Sequence, residues 1–458
     1  MADRVPSPEP QHGGRMTAQS AVLLPRVIGP QDPRPWRLPA DDADAAARRA
    51  AVWARVRNVL VIRLDNLGDV LMSTPALRAI KDTQPQARIT LLASAAGAAA
   101  AEVVPLVDEV IRFDAPWVRQ PADAAADAAG APPLGSSERA LIAALMKRRF
   151  DAAIIFTVHS QSALPAALLC LLAGIPLRLA HCRENPYGLL SDWVREPEPH
   201  TIQRHEVERQ LALVERVGYR TRDDRLRFDV PATARAAVLR RLLRAGVDPS
   251  RPYVVVHPGA SAPSRRWPAV DFGRAADLLG YDHQIVLVGG PAEAPLVEQM
   301  LAAMRAPAAV LVEELSLAEL GALIQGAAVL LANNSAPAHI AAAVGTPVVV
   351  LYALTNPQHT PWRVPARVLY RDVPCRNCMK SECPLGHHEC LLGVRPAQVA
   401  TAARELMAHR PRSAPVLSPA DHGSEPVAAA DVQMQAQGRA ALQPGQAARG
   451  AACAGAPQ

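Results

Sequence analysis

Asp69 stands behind a glycine in Asp65-Asn66-Leu67-Gly68-Asp69, directly after the apolar run Val59–Leu64, which is interrupted by Arg63. A carboxylate at such a strand-to-helix corner can take a proton from a hydroxyl nucleophile. The same residue type is also favoured as a helix cap, accepting from amides that would otherwise lack partners. Local sequence allows both roles, and general base is the one carried forward for Asp69. A second group of chemistry-bearing residues lies in His257-Pro-Gly-Ala-Ser-Ala-Pro-Ser-Arg-Arg-Trp-Pro268. Arg265 and Arg266 there offer planar forks of paired donors suited to phosphate, against the plainer possibility of two solvated arginines. Trp267 beside them reads as a packing residue.

A third group is Asn333-Asn334-Ser335-Ala336-Pro337-Ala338-His339. Ser335 and Ala336 open a helix after Asn334, and its first amides can donate to a pyrophosphate while the helix dipole favours the negative charge. His339 falls in the first turns of that helix, as a ligand contact or as a satisfied structural histidine. Gly289-Gly290, directly after the Val286–Val288 run, adds a second candidate contact for a nucleotide.

The fourth group is Cys375-x2-Cys378-x4-Cys383-x6-Cys390, with His387 and His388 inside it. Thiolates and imidazoles at this density are metal-competent, and four soft ligands would suit structural zinc. The spacing is not that of standard paired knuckles, and cysteines tying down a terminal loop are the alternative. In either case the segment reads as structural, with no metal assigned to the catalytic site.

The first and third groups each need a buried strand, a small-residue loop and a helix start to hold them. That geometry directs free backbone N–H groups into a crevice at the carboxyl end of a parallel sheet. Strands are expected at Asn58–Leu64, Arg88–Ala93, Glu109–Phe113, Ala152–Thr157 and Pro176–Ala180. In the second half they fall at Tyr253–His257, Gln284–Val288, Ala309–Val312, Val329–Ala332 and Pro347–Leu351. Helices are expected at Ser73–Asp82, Glu138–Arg149, His205–Val217 and Pro396–His409, the last packing back across the hinge. β-Branched apolar runs alternating with amphipathic helices imply parallel sheets covered on both faces.

The chain therefore divides into a disordered leader at 1–52, a first α/β domain at 53–230, a second at 231–410 and a disordered tail at 411–458. Ala115–Ser136 reads as a mobile loop, and Phe228–Pro231 as the inter-domain linker. The two domains are Rossmann-like halves facing each other across one crevice.

Composition narrows the function. The 458 residues carry a net charge of +6 and a pI near 9.1, which suits phosphorylated ligands or an anionic membrane surface. No basic block interleaved with aromatics occurs, so no nucleic-acid partner is expected. The amino-terminal stretch lacks the apolar run of a secretory signal. The longest apolar stretch, Ala163–Leu177, is broken by Pro165 and Gly174 and falls short of the ~20 residues of a membrane span. These features imply a cytoplasmic protein with possible peripheral contact at the inner membrane surface.

The combination of RLDNLGDVLMSTPAL (Arg63–Leu77), HPGASxxSRRWP, NNSAPAHIAAAVGTP (Asn333–Pro347) and the terminal CxNC…CPLGHHECL resembles glycosyltransferase family 9 over residues 56 to 408. That family includes the ADP-heptose:lipopolysaccharide heptosyltransferases. The resemblance implies a GT-B architecture, with acceptor bound by the first domain and nucleotide sugar by the second. It implies metal-independent transfer of a sugar, with inversion, from ADP-heptose to a lipopolysaccharide core or related lipid-linked glycan, and no cofactor. By the same resemblance the catalytic aspartate falls on Asp69, the phosphate-binding basic residue on Arg265, and the family's D-T-G-x-x-H loop on Asn334, Ser335, Ala336 and His339. Two positions depart from the pattern, Asn334 for Asp and Ala336 for Gly. The stretch His159–Trp193 reads as a branch-specific acceptor wall. Competing readings are a GT-B-like sugar-nucleotide epimerase, which would release product without an acceptor, and a non-catalytic nucleotide-sugar-binding protein.

Overall fold

The computed structural model describes residues 42–118, 133–199, 201–312, 315–378, 380 and 382–409. Most of the expected 115–136 loop, the tail from 411 and the leader before residue 42 lie outside the described residues.

Two parallel six-stranded sheets form the frame. The first comprises β1 (Asn58–Arg63), β2 (Arg88–Ala93), β3 (Glu109–Arg112), β4 (Ala152–Ile155), β5 (Leu177–Cys182) and β6 (Asp192–Arg195), in the order β3-β2-β1-β4-β5-β6. The second comprises β7 (Tyr253–His257), β8 (Gln284–Gly289), β9 (Ala308–Val312), β10 (Val329–Asn333), β11 (Val348–Leu351) and β12 (Ala366–Leu369), in the order β12-β11-β10-β7-β8-β9. Counted from its own first strand, each sheet repeats the 3-2-1-4-5-6 order of the doubly wound dinucleotide-binding fold. The central strands Leu60–Ile62, Val254–Val256 and Leu330–Ala332 are essentially free of solvent on both faces, as strands covered by helices on each side must be.

Ten strands fall where hydrophobic patterning places them, to within one or two residues at most ends. The two missing from that reading, β6 (Asp-Trp-Val-Arg) and β12 (Ala-Arg-Val-Leu), are four-residue edge strands. Charged residues interrupt both, so neither shows the continuous apolar run that marks an inner strand.

Three further elements differ from expectation. Helix α1 (Ala43–Trp53) occupies the end of the stretch assigned to a disordered leader. It is anchored by Trp53, which is fully buried edge-on to Tyr219 and donates its Nε1–H to Asp192 at 3.0 Å. Helix α2 runs over Leu67–Thr83, starting six residues before Ser73 and continuing through Pro75. Proline cannot donate to the Leu71 carbonyl four residues back; the Thr74 hydroxyl donates to it instead, at 2.6 Å. The last helix, Pro396–Ala408, packs on helix Ala269–Gly280 and on β11 and β12. It thus covers the second sheet rather than crossing the hinge.

The halves meet along α2 and helix Ala336–Val344, with a small apolar cluster of Met72, Val207, Leu226, Ala342 and Trp362 beside them. Polar ties run along the same seam. His205 Nε2 lies 2.8 Å from the Thr360 carbonyl, Gln358 donates to Arg204 O at 2.9 Å, and Trp362 donates to Asp224 O at 2.7 Å. Among the described residues no helix is long and apolar enough to cross a membrane.

Packing in the second half is tight enough to forbid a methyl group. A Cβ on Gly273 would stand 2.4 Å from the Met300 carbonyl oxygen, part of a neighbouring backbone. Alanine gains about 1 kcal/mol of helix propensity over glycine, but overpacking a core costs about 1–3 kcal/mol, and backbone cannot swing away. Gly273→Ala is expected to lower the urea unfolding midpoint. An unchanged or raised midpoint would contradict this close approach.

Candidate functional site

The two doubly wound sheets change winding direction between β1 and β4 and between β7 and β10. Loops leaving the carboxyl ends of strands at such points form the crevice in which open α/β sheets bind ligands. The loops after β1, β7 and β10 here carry Asp65–Asp69, His257–Trp267 and Asn334–His339, and all three open into one cleft of about 530 Å³. That volume is in the range of small-molecule sites.

The wall from the first half is built on charge. Arg63 ends β1 with no exposure to solvent. It lies 2.9 Å from Glu206 Oε1, 3.1 Å from Asp65 Oδ2 and 3.2 Å from Asp69 Oδ1. Glu206, at the start of helix Glu206–Glu215, is itself fully buried and shared with Arg209 and Gln210. Asp69 is the third residue of α2, and its other oxygen accepts from the Asn66 amide at 3.1 Å. The carboxylate therefore accepts from the helix start and lines the cleft at once, so the capping bond does not withdraw it from the cleft. Burial works against its charge. Arg63, the His359 imidazole and the Asn66 amide outweigh that penalty and hold its pKa below the usual carboxylate range. Asp65 is shifted the opposite way, raised chiefly by burial although Arg63 opposes it. Its Oδ1 accepts from Gln161 Nε2 at 2.7 Å.

The wall from the second half supplies donors. Ser335 caps helix Ala336–Val344 without a side-chain hydrogen bond to the first turn, so the helix start faces the cleft beside Asn334 and Ser335. Arg265 lines the same cleft, and its buried Nε has no hydrogen-bond partner within the protein. Asn333 holds the two loops together, accepting from Trp267 N at 3.0 Å and donating to Pro258 O at 2.6 Å. Trp267 is buried against Phe272, as a packing residue should be. His339 reaches the junction of the halves. A Cβ on Gly68 would stand 2.7 Å from its Cδ2. Gly68 lies inside α2 without a positive φ, so close approach of the imidazole, not a tight turn, is what requires glycine there. Burial, and secondarily His359, pushes His339 down to about 3, so it is neutral at physiological pH. Its Nδ1 is buried without a partner.

The cleft thus gathers Asp69, Arg265, Asn334, Ser335, Ala336 and His339. Three candidates stand apart. Arg266 is exposed, spends its Nε–H on Ala260 O at 2.7 Å, and is not among the cleft-lining residues. Gly289 and Gly290 also lie off the cleft wall, and the Gly290 amide donates to Glu293 Oε2 at 2.8 Å. That amide is already satisfied and is not free for a phosphate.

Sequence reasoning passed over Asp65, Gln161, Glu293, His359 and Lys380, which all line the cleft. Asp65 lies within the first motif and could have been found there. Lys380 stands out as one of three lysines in the chain, whereas nothing in the sequence marks Gln161 or Glu293. In the cysteine segment Cys375 Sγ lies 3.6 Å from His387 Nε2. Among the described residues, no three His, Cys, Asp or Glu side chains are grouped so as to hold a metal ion.

The profile of glycosyltransferase family 9 (heptosyltransferase) matches residues 138–389. This protein belongs to glycosyltransferase family 9. Among its relatives, lipopolysaccharide heptosyltransferase 2 of Escherichia coli K12 is 27% identical over 361 residues, spanning 76% of this chain and 98% of that protein. Lipopolysaccharide heptosyltransferase 3 of Escherichia coli is 26% identical, spanning 73% and 95%. The crystal structure of the ADP-heptose LPS heptosyltransferase II of Escherichia coli superposes with a TM-score of 0.59 at 26% identity, covering 77% of this chain and 98% of that one. A family 9 glycosyltransferase from Veillonella parvula shares the fold, with a TM-score of 0.62 at 22% identity and coverage of 77% and 98%. The architecture is accordingly GT-B, two Rossmann-like sheets facing a central cleft, as the resemblance of the sequence implied.

The buried His205 gives this protein a pH signature. Burial pushes His205, on the seam between the halves, down to about 4, whereas an unfolded histidine titrates near 6.5. Between those values the unfolded chain binds protons that the folded chain refuses, so stability rises with pH across the window and is fully present above it. Glu196, pushed up to about 7 chiefly by burial, works in the opposite direction, so the measurement compares wild type with His205→Gln. Wild type is expected to lose about 1–2 kcal/mol more than the variant between pH 7 and pH 5 in urea unfolding. Parallel pH profiles would show that His205 is not held neutral.

Proposed function

We propose that this protein transfers heptose from ADP-heptose to a hydroxyl of a lipopolysaccharide core, with inversion at the anomeric carbon and without a metal ion. The observation that carries this reading is a single cleft with an ionised carboxylate on one wall and unpaired phosphate donors on the other. Family membership and the E. coli relatives support the sugar and the acceptor class.

In this reading the acceptor hydroxyl attacks the anomeric carbon from the first half's side. A carbon–oxygen bond forms, the bond to the ADP phosphate oxygen breaks, and the hydroxyl proton passes to Asp69. A sugar hydroxyl is a far weaker acid than a carboxylic acid, so the proton moves late, once the attacking oxygen has become acidic. Charge growing on the departing diphosphate meets Arg265 and the backbone amides of Ser335 and Ala336, as electrostatic stabilisation of a leaving group requires. His339 is neutral and contributes a hydrogen bond rather than a charge. Asn334, where the family pattern has an acid, keeps a further carboxylate away from the diphosphate. Glu293, in the 3-10 turn Pro291–Glu293 of the second half, also lines the cleft and is suited to accept from a ribose hydroxyl. Holding the two reactants in line supplies the remainder of the acceleration. The reaction takes place in the cytoplasm, with the lipid-linked acceptor presented at the inner membrane surface.

Asp65 is the rival base, since it lines the same cleft and burial raises its proton affinity. Gln161 occupies one of its oxygens, and Asp69 is favoured because the helix start aims it between the two walls. Losing a general base costs about 10²–10⁴-fold in rate. Asp69→Asn, which keeps the size and much of the capping capacity, should bind ADP-heptose normally and transfer at least about a hundredfold more slowly. Wild-type transfer should persist in the presence of a chelator. Near-normal turnover in Asp69→Asn with collapse in Asp65→Asn would move the base to Asp65.

A further inference from the structure

The cysteine-rich segment is the sequence feature that the transfer chemistry leaves unused, yet it is built into the cleft. Its two ends are joined, Arg371 donating its backbone N–H to Cys390 O at 2.8 Å. Asn377 N donates to Leu354 O at 2.7 Å, fastening the segment to the loop after β11. Cys375 and Cys390 pack with Leu354, Tyr370 and Val373. The Cys383 thiol is turned toward the backbone amide of His388 and also those of Leu385, Gly386 and His387, which lower its pKa. A compact turn results, and Lys380 sits on it.

Two observations connect Lys380 to the phosphate loop. The Ser264 hydroxyl donates to Lys380 O at 3.1 Å, and Ser264 immediately precedes Arg265 in the short 3-10 turn Pro263–Arg265. Lys380 and Arg265 both line the cleft, with Ser261, Thr355 and Asn356. Of the chain's other lysines, Lys81 is ion-paired with Asp108, and neither it nor Lys147 lines the cleft. Among the described residues no carboxylate pairs with Lys380, and it remains exposed.

We propose that the cysteine-rich segment is part of the donor site, seating Lys380 beside Arg265 as a second cation for the nucleotide diphosphate. This rests on the donor reading above. An ammonium on a flexible stem follows a phosphate as a point charge, whereas the guanidinium fixes its orientation by paired donors. The two functions are complementary when charge accumulates on a group that must leave. The cysteines act here by holding a turn, and the lysine is what touches ligand.

Calorimetric titration of ADP into the full-length wild type and four full-length variants tests the idea. A lost charge-assisted hydrogen bond of about 1.5–3 kcal/mol corresponds to tenfold or more in affinity. Lys380→Ala should weaken ADP by about that factor, with Lys380→Arg recovering most of it. Ser264→Ala removes the tether without removing charge and should weaken ADP by about two- to tenfold. Arg265→Ala serves as the reference for the site itself. If Arg265→Ala weakens ADP while Lys380→Ala binds within twofold of wild type, Lys380 is not a donor ligand and the proposal fails alone. If neither variant changes affinity, the donor reading fails with it. Thermal unfolding of each variant verifies that the fold is intact.

Discussion

A guanidinium with no access to water dominates the structure. Burying an unpaired charge costs several kcal/mol even after relaxation, so Arg63 is tolerable only with Glu206, Asp65 and Asp69 around it. Each of those carboxylates belongs to a different piece of the first half. Asp65 lies in the loop after β1, Asp69 at the start of α2, and Glu206 at the start of helix Glu206–Glu215. One side chain thereby fixes the mutual position of a strand end and two helix starts. The same interaction favours the ionised form of Asp69 in a setting where burial works against its charge. A buried ion group of this kind is weak evidence for net stability. In the role proposed for Asp69 its value is orientation, because a base that must meet an incoming hydroxyl has to be both charged and stationary.

The second half makes the complementary choice. Its wall relies on fixed dipoles and one incompletely paired guanidinium, not on a closed ion network. Asn333 holds the loops after β7 and β10 to each other, which fixes the helix start and Arg265 on the cleft wall as the proposed anion site requires. Preorganised donors need no rearrangement as charge develops, which is why such groups are effective at a leaving group. Gly68 lets His339 approach α2 closely, and the two preparations are thereby brought to the same crevice. Repetition of one strand order in both sheets explains the symmetry, since each half presents its switch point to the other.

Inner strands and the motif loops were legible in the sequence because both are local. Val59–Ile62 and Val254–Val256 announce themselves as uninterrupted apolar runs, and the helix start at Ser335 follows from residue types alone. What escaped depends on tertiary partners. The edge strands β6 and β12 lack the apolar continuity of inner strands. The Glu293 carboxylate takes the Gly290 amide, which no local pattern reveals. Arg266 turns back to its own loop while Arg265, its neighbour, faces the cleft. Trp53 holds α1 in place through Asp192 and Tyr219, more than 100 residues away in the chain. Arg63 was visible as part of a motif, but its burial among three carboxylates drawn from distant segments was not.

The central claim is that donor and base face each other across this one cleft. A crystal structure of the protein with ADP tests it most directly. The account predicts diphosphate oxygens within about 3 Å of the Arg265 guanidinium and of the Ser335 and Ala336 backbone amides, the usual donor–acceptor separation. The terminal phosphate should point toward Asp69. A nucleotide lodged instead among first-half residues such as Trp117 and Ser162, away from Arg265, would contradict it.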